Sequence, residues 1–150
     1  KEYDRLDGKL VFTRTHLPRM LEEVKCTLPV RMETLLLTDS LDLTDEDREK
    51  IVERCRRCDE NRIIVTHGTD TMVETARRLG ENLDDKVIVL VGAMVPYAFG
   101  NSDALFNLGC AVCGVQLLEN GVYITMNGRI FSWNNVRKNR KKGIFEEKTR

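Results

Sequence analysis

Five consecutive apolar residues, Val87-Ile88-Val89-Leu90-Val91, stand between Lys86 and Gly92. A run of this length with no polar alternation is a strand that must be covered on both faces. Such strands belong to parallel sheets with helices on either side. The run is also the longest apolar stretch in the chain, far short of the roughly 20 residues needed to span a bilayer.

The flanking sequence has the matching rhythm. Thr15-His16-Leu17-Pro18 starts a helix that continues over Arg19 to Lys25, with proline in the first turn where no hydrogen bond is lost. Val30 to Leu37 is an apolar, strand-like stretch closed by Asp39-Ser40. Thr44 caps a second helix, and Asp45-Glu46-Asp47 suit the positive end of its dipole; it runs to about Cys58. Arg62 to Thr66 is a β-branched strand, and a helix from Thr71 to Leu79 is stopped by Gly80. After the strand at 87–91 come a Gly- and Pro-bearing loop, a helix from about Asp103 to Leu118, a strand over Val122 to Met126, and the tight turn Asn127-Gly128. Arg129 to Ser132 pairs back as a hairpin arm. The alternation predicts a three-layer, doubly wound α/β fold: a mostly parallel sheet, flavodoxin-like or Rossmann-like in strand order, with right-handed crossovers. At 150 residues the chain is one domain.

Charge adds a negative constraint. Lysine plus arginine and aspartate plus glutamate both number 24. A neutral chain is not drawn to nucleic acid or to membranes, and it resists self-association weakly, which favours an oligomer. The five cysteines include the pairs Cys55-x-x-Cys58 and Cys110-x-x-Cys113. Both pairs lie in helix-like runs without an internal glycine or proline, so they read as buried, reduced thiols rather than a zinc knuckle. No metal or cofactor is implied, and reduced thiols fit the cytoplasm.

In parallel α/β folds ligands bind beyond the carboxyl ends of the strands. Three strand ends carry suitable chemistry: Asp39-Ser40, Thr66 to Thr71, and Gly92 to Met94. In the second, Gly68 permits close approach of a ligand to the backbone, Thr69 supplies a hydroxyl and Asp70 a carboxylate. The amides at the start of the next helix favour an anion or oxyanion. Threonine and aspartate there are equally ordinary as helix caps.

The wider pattern resolves that ambiguity. Thr66-His67-Gly68-Thr69-Asp70-Thr71-Met72 with Glu74-Thr75-Ala76 resembles the active-site signature of the bacterial-type L-asparaginase family. Val91-Gly92-Ala93-Met94 with Pro96, Phe106-Asn107-Leu108, Asp39-Ser40-x-Asp42 and Val136-Arg137-Lys138-Asn139 resemble further family segments, in order along the chain. The resemblance implies the N-terminal catalytic domain and hydrolysis of the side-chain amide of asparagine or a related small amide, with a threonine nucleophile. Carried over by position, Thr69, Asp70 and Lys138 form a catalytic triad. Ser40 binds the substrate carboxylate, Asp70 its α-amino group, Gly68 and Ala93 line the pocket by backbone contacts, and Tyr3 is the candidate flap tyrosine over the segment Gly8 to Phe12. His67 is a positioning or core residue. Without the resemblance, Lys138 belongs to a basic run, Arg137 to Lys142, of the kind usually found on solvated surfaces.

There are departures. The family's first strand ends in a glycine-rich motif with a second catalytic threonine. Here Lys1-Glu2-Tyr3-Asp4 resembles the family segment just after that motif, so the strand is expected before residue 1. The smaller C-terminal domain of the family has no counterpart in these 150 residues. Val95 stands where the family usually has arginine, and Leu41 where it commonly has glutamine. A non-catalytic amino-acid-binding or regulatory module is the alternative reading, and an RNA-associated amidotransferase component a third.

Overall fold

The computed structural model of the protein describes residues 14–148 in full and the backbone of residues 2–4 and 9–11. Strands β1 (Glu2–Asp4) and β2 (Lys9–Val11) form an antiparallel pair. They are followed by α1 (Leu17–Glu23), a 3₁₀ turn at Ser40–Asp42, α2 (Asp45–Arg57), β3 (Arg62–Thr66), α3 (Met72–Asn82) and β4 (Val87–Val91). Then come α4 (Ala104–Leu117), β5 (Gly121–Met126), β6 (Arg129–Ser132), β7 (Arg137–Asn139) and β8 (Ile144–Glu146).

The main sheet has the order β3-β4-β5-β6. The first three strands are parallel and β6 returns antiparallel. The return uses Asn127 and Gly128 at φ 56° and 73°, both in the left-handed region that a two-residue hairpin demands. All five side chains of β4 are buried. Ile88 and Leu90 join Met72, Ala76 and Leu79 of α3 and Val52 of α2. Val87, Val89 and Val91 join Ala104, Leu108 and Ala111 of α4 and Met20 of α1. Each such valine, leucine, isoleucine or methionine side chain contributes about 1.5–3 kcal/mol by leaving water. The result is the expected three-layer α/β arrangement.

The winding differs from expectation in one respect. The connections β3-α3-β4 and β4-α4-β5 step the same way across the sheet, so crossovers of one hand would put both helices on one face. The helices lie on opposite faces, so one of the two crossovers is left-handed, against a strong general preference.

Three local expectations are corrected. Residues 30–37 take no regular structure. Val30, Met32, Leu35 and Leu37 are exposed, and only Leu36 reaches the core shared by α2 and α3. A strand exists through pairing, and this segment pairs with no strand among the described residues; ion pairs from Arg31 to Glu60 and from Arg54 to Glu33 tie it down instead. Gly80 does not end α3, which runs on to Asn82. A Cβ at Gly80 would stand 2.4 Å from the Trp133 indole, so the glycine makes room for a ring. The cysteines are not uniformly buried: Cys55 is, Cys113 is exposed, and burial pushes the Cys55 thiol up to about 11. No helix of the described residues is long and apolar enough to cross a membrane.

Candidate active site

The carboxyl ends of β3 and β4 are locked together by backbone. His67 N donates to Val91 O at 2.9 Å, which carries the ladder one residue past β3. A Cβ on Gly92 would lie 2.3 Å from His67 O, so only glycine lets the two loops approach so closely. Gly68 plays the same part toward the 3₁₀ turn: its Cβ would meet Ser40 Oγ at 2.5 Å. Thr71 does not cap α3 with its side chain; its Oγ1 donates to Ser40 O at 2.7 Å and fastens the Ser40 turn to the loop.

Lys138 enters from the far end of the chain. Val136 and Phe145 are buried on either side of the β7–β8 hairpin, and Phe145 N donates to Asn127 Oδ1 at 2.8 Å. This anchoring turns Lys138 inward. Its Nζ donates to Thr69 Oγ1 at 2.8 Å and to Asp70 Oδ1 at 3.0 Å. Thr69 is buried, and the Lys138 and Asp70 side chains are 11% and 33% exposed, so the ion pair is partly shielded from solvent. The hydrogen bond from Lys138, its charge, and the neighbouring Arg140 hold the Asp70 carboxyl below the ordinary carboxylate range.

Ser40 is buried, and its Oγ has no hydrogen-bond partner among the described residues. An unpartnered buried hydroxyl costs stability, and it sits directly against Gly68 at the strand ends. His67 is held on both ring nitrogens: Nδ1 lies 2.7 Å from Gly68 O and Nε2 lies 2.8 Å from Thr75 Oγ1. A neutral ring protonated on Nδ1 satisfies both contacts, donating to the carbonyl and accepting from the hydroxyl. Burial pushes its pKa down, in keeping with that state.

The Gly92 loop is braced by Asp103 and Asn107, which the sequence offered only as a helix start and as part of a family segment. Asp103 accepts from Met94 N and Val95 N, both at 3.0 Å. Asn107, fully buried one helical turn on, donates to Gly92 O at 3.0 Å and to Asp103 Oδ2 at 2.7 Å, and accepts from Asn127 N at 3.2 Å. An aspartate just before an apolar helix with an asparagine four residues on was the available signal.

Thr69, Asp70 and Lys138 are thus in mutual contact, with Ser40 and Gly68 beside them. Ala93 comes directly after Gly92 at the strand end, but its side chain packs into the core between α1 and α4. The Tyr3 side chain and the flap segment around Gly8 to Phe12 lie outside the described residues, which give only strand backbone there. Leu41 and Val95 are exposed. Among the described residues no group of three His, Cys, Asp or Glu side chains could hold a metal ion. The site joins a hydroxyl, a carboxylate and an amine in one hydrogen-bonded unit, the equipment for acyl transfer.

The family model for the asparaginase N-terminal domain matches residues 2–145. The chain belongs to the asparaginase family. L-asparaginase 2 of Escherichia coli (strain K12) is 32% identical over 131 residues, 82% of this chain and 37% of the relative. A glutaminase-asparaginase of Acinetobacter glutaminasificans is 43% identical over 82 residues, 52% of this chain and 25% of the relative. The crystal structure of a probable cytoplasmic L-asparaginase from Campylobacter jejuni superposes with a TM-score of 0.74 at 28% identity, covering 87% of this chain and 46% of that one. The chain therefore spans less than half the length of these asparaginase-family relatives.

Proposed function

We propose that this chain is the N-terminal catalytic domain of an amidohydrolase that converts asparagine, or a related small amide, to the acid and ammonia. The contact of Lys138 with both Thr69 Oγ1 and Asp70 Oδ1 carries this reading. With Nζ unprotonated, Lys138 takes the Thr69 hydroxyl proton as Oγ1 bonds to the amide carbon. Asp70 stabilises the ammonium so formed. Collapse of the tetrahedral adduct breaks the C–N bond, and the Lys138 proton leaves with nitrogen as ammonia. Water then hydrolyses the threonine ester, releasing the acid and restoring the hydroxyl. Ser40, its hydroxyl unengaged, receives the substrate carboxylate, while Asp70 also faces the α-amino group; Gly68 and the Ala93 backbone form the walls.

The same reading includes a strand before residue 1 that brings a second threonine. The unpaired edge of β3 in the described sheet supports it. It also includes a cytoplasmic, homodimeric or homotetrameric protein. Ammonia release from asparagine by the full-length protein is the test. Thr69→Ala is expected to abolish it, and a Thr69→Ala protein with intact turnover would overturn the assigned role.

A further inference from the structure

The turn that carries Ser40 is fastened at both ends. At its start Thr71 Oγ1 donates to Ser40 O at 2.7 Å. At its end Arg48 Nη1 donates to Leu43 O at 3.0 Å, and Leu43 N donates back to Ser40 O at 3.4 Å. This second fastening has no part in the chemistry above. Arg48 is the fourth residue of α2, and its guanidinium reaches back past the helix start to hold Leu43, five residues earlier.

On stability alone, arginine is an unfavourable choice for that position. Only 8% of the residue is exposed, and Nε is buried without a hydrogen-bond partner among the described residues. Its carboxylate contact, Asp45 Oδ1 at 3.4 Å, belongs to a side chain that is 80% exposed and screened by water. The cation also lies near the positive end of the α2 dipole. A buried charge with an unfilled donor costs stability, and an apolar side chain of similar length would avoid that cost. What the guanidinium supplies is a grip on the Leu43 carbonyl and a positive charge next to the Ser40 turn. That charge is felt at the strand ends: after burial, it is what pushes the His67 pKa down.

We infer that Arg48 is a positioning residue, which sets the Ser40 hydroxyl for a substrate α-carboxylate by holding the Leu43 end of its turn. The inference rests on the reading of Ser40 as the carboxylate-binding residue. It assigns the arginine to substrate binding and leaves the proton transfers to Thr69 and Lys138.

The test measures kcat and KM for asparagine in the full-length protein and in its variants Arg48→Met, Arg48→Lys, Ser40→Ala and Ser40→Ala/Arg48→Met. Arg48→Met is expected to fold with a Tm at or above that of the wild type, and to raise KM by about tenfold with kcat within about threefold. Arg48→Lys keeps the charge and one donor, so it is expected to recover most of that KM. In the Ser40→Ala background, Arg48→Met is expected to change KM by less than about threefold, because the arginine acts through the hydroxyl. An unchanged KM in Arg48→Met, no recovery in Arg48→Lys, or effects of the two residues that simply multiply would each overturn the inference. So would an Arg48→Met protein that does not fold, which would make the arginine a stability residue. If Ser40→Ala leaves KM unchanged, the Ser40 reading fails and the inference with it. If Ser40→Ala raises KM and Arg48→Met does not, the inference fails alone. If asparagine is not hydrolysed, the hydrolase reading fails, and calorimetric titration of the same proteins with aspartate decides the inference. The same pattern in Kd supports it; any other pattern, including no binding by the wild type, overturns it.

Discussion

Lys138 donates from Nζ to Thr69 Oγ1 across 2.8 Å, joining residues 69 positions apart in the chain. The contact exists because a hairpin anchored by the buried Val136 and Phe145, not a neighbouring loop, delivers the lysine.

Replacing that lysine therefore isolates its chemistry. Lys138→Met keeps the aliphatic stem and removes the proton carrier. Ammonia release is expected to fall by about 10²- to 10⁴-fold, the usual scale for general acid–base groups, with the circular dichroism spectrum unchanged. Activity within a few-fold of wild type would mean that another group carries the proton.

Ser40→Ala separates function from stability. The Oγ is buried without a partner among the described residues, so its removal costs no hydrogen bond in the fold. Thermal denaturation should show an unchanged or raised Tm. Substrate KM should rise by roughly tenfold or more, since a hydrogen bond to a charged group is worth ~1.5–3 kcal/mol. A lowered Tm with unchanged KM would make Ser40 a structural residue only.

Gly80→Ala opposes two effects. Helix propensity favours alanine by about 1 kcal/mol. The new Cβ, however, would stand 2.4 Å from the Trp133 ring. Overpacking of this kind costs ~1–3 kcal/mol, so denaturant titration should show a net loss of stability. Adding Trp133→Leu should recover much of it, and strictly additive effects in the double variant would refute the proposed clash.

The pH dependence has a definite sign. Burial lowers the His67 pKa from its ordinary value of 6.5, so below that value the unfolded chain binds more protons than the folded one. The contribution of neutral His67 is complete above the unfolded pKa and is lost as pH falls through the folded one. Asp70, also held low, loses its contribution in the same direction as pH falls through its own lowered value. His67→Gln, which cannot titrate, should therefore lose less Tm than wild type between about pH 7.5 and about pH 5. Parallel losses in the two proteins would exclude His67 as the titrating group.

The regular elements were legible in the sequence because their signals are local. The run at 87–91 is apolar at every position, Thr44 and Asp47 form a reciprocal capping box at the start of α2, and Asn127-Gly128 turns the chain as its dihedral preferences require. Where expectation failed, the deciding partner was distant in sequence. Residues 30–37 have strand composition, but hydrogen-bonding partners decide a strand. Gly80 has a helix-stop composition, but Trp133 decides its role.

The sequence by itself determined the α/β class, the location of the chemistry at strand ends and the family resemblance, because periodicity, turn residues and motifs are written in neighbouring positions. Only the tertiary structure decided what those residues meet. It set the opposite hands of two consecutive crossovers, the Ser40 Oγ left without a hydrogen-bond partner among the described residues, the Asp103–Asn107 brace and the grip of Arg140 on Asp70. Each depends on which groups are brought within about 3 Å of one another by packing, and hydrogen bonds and charges act only at that range.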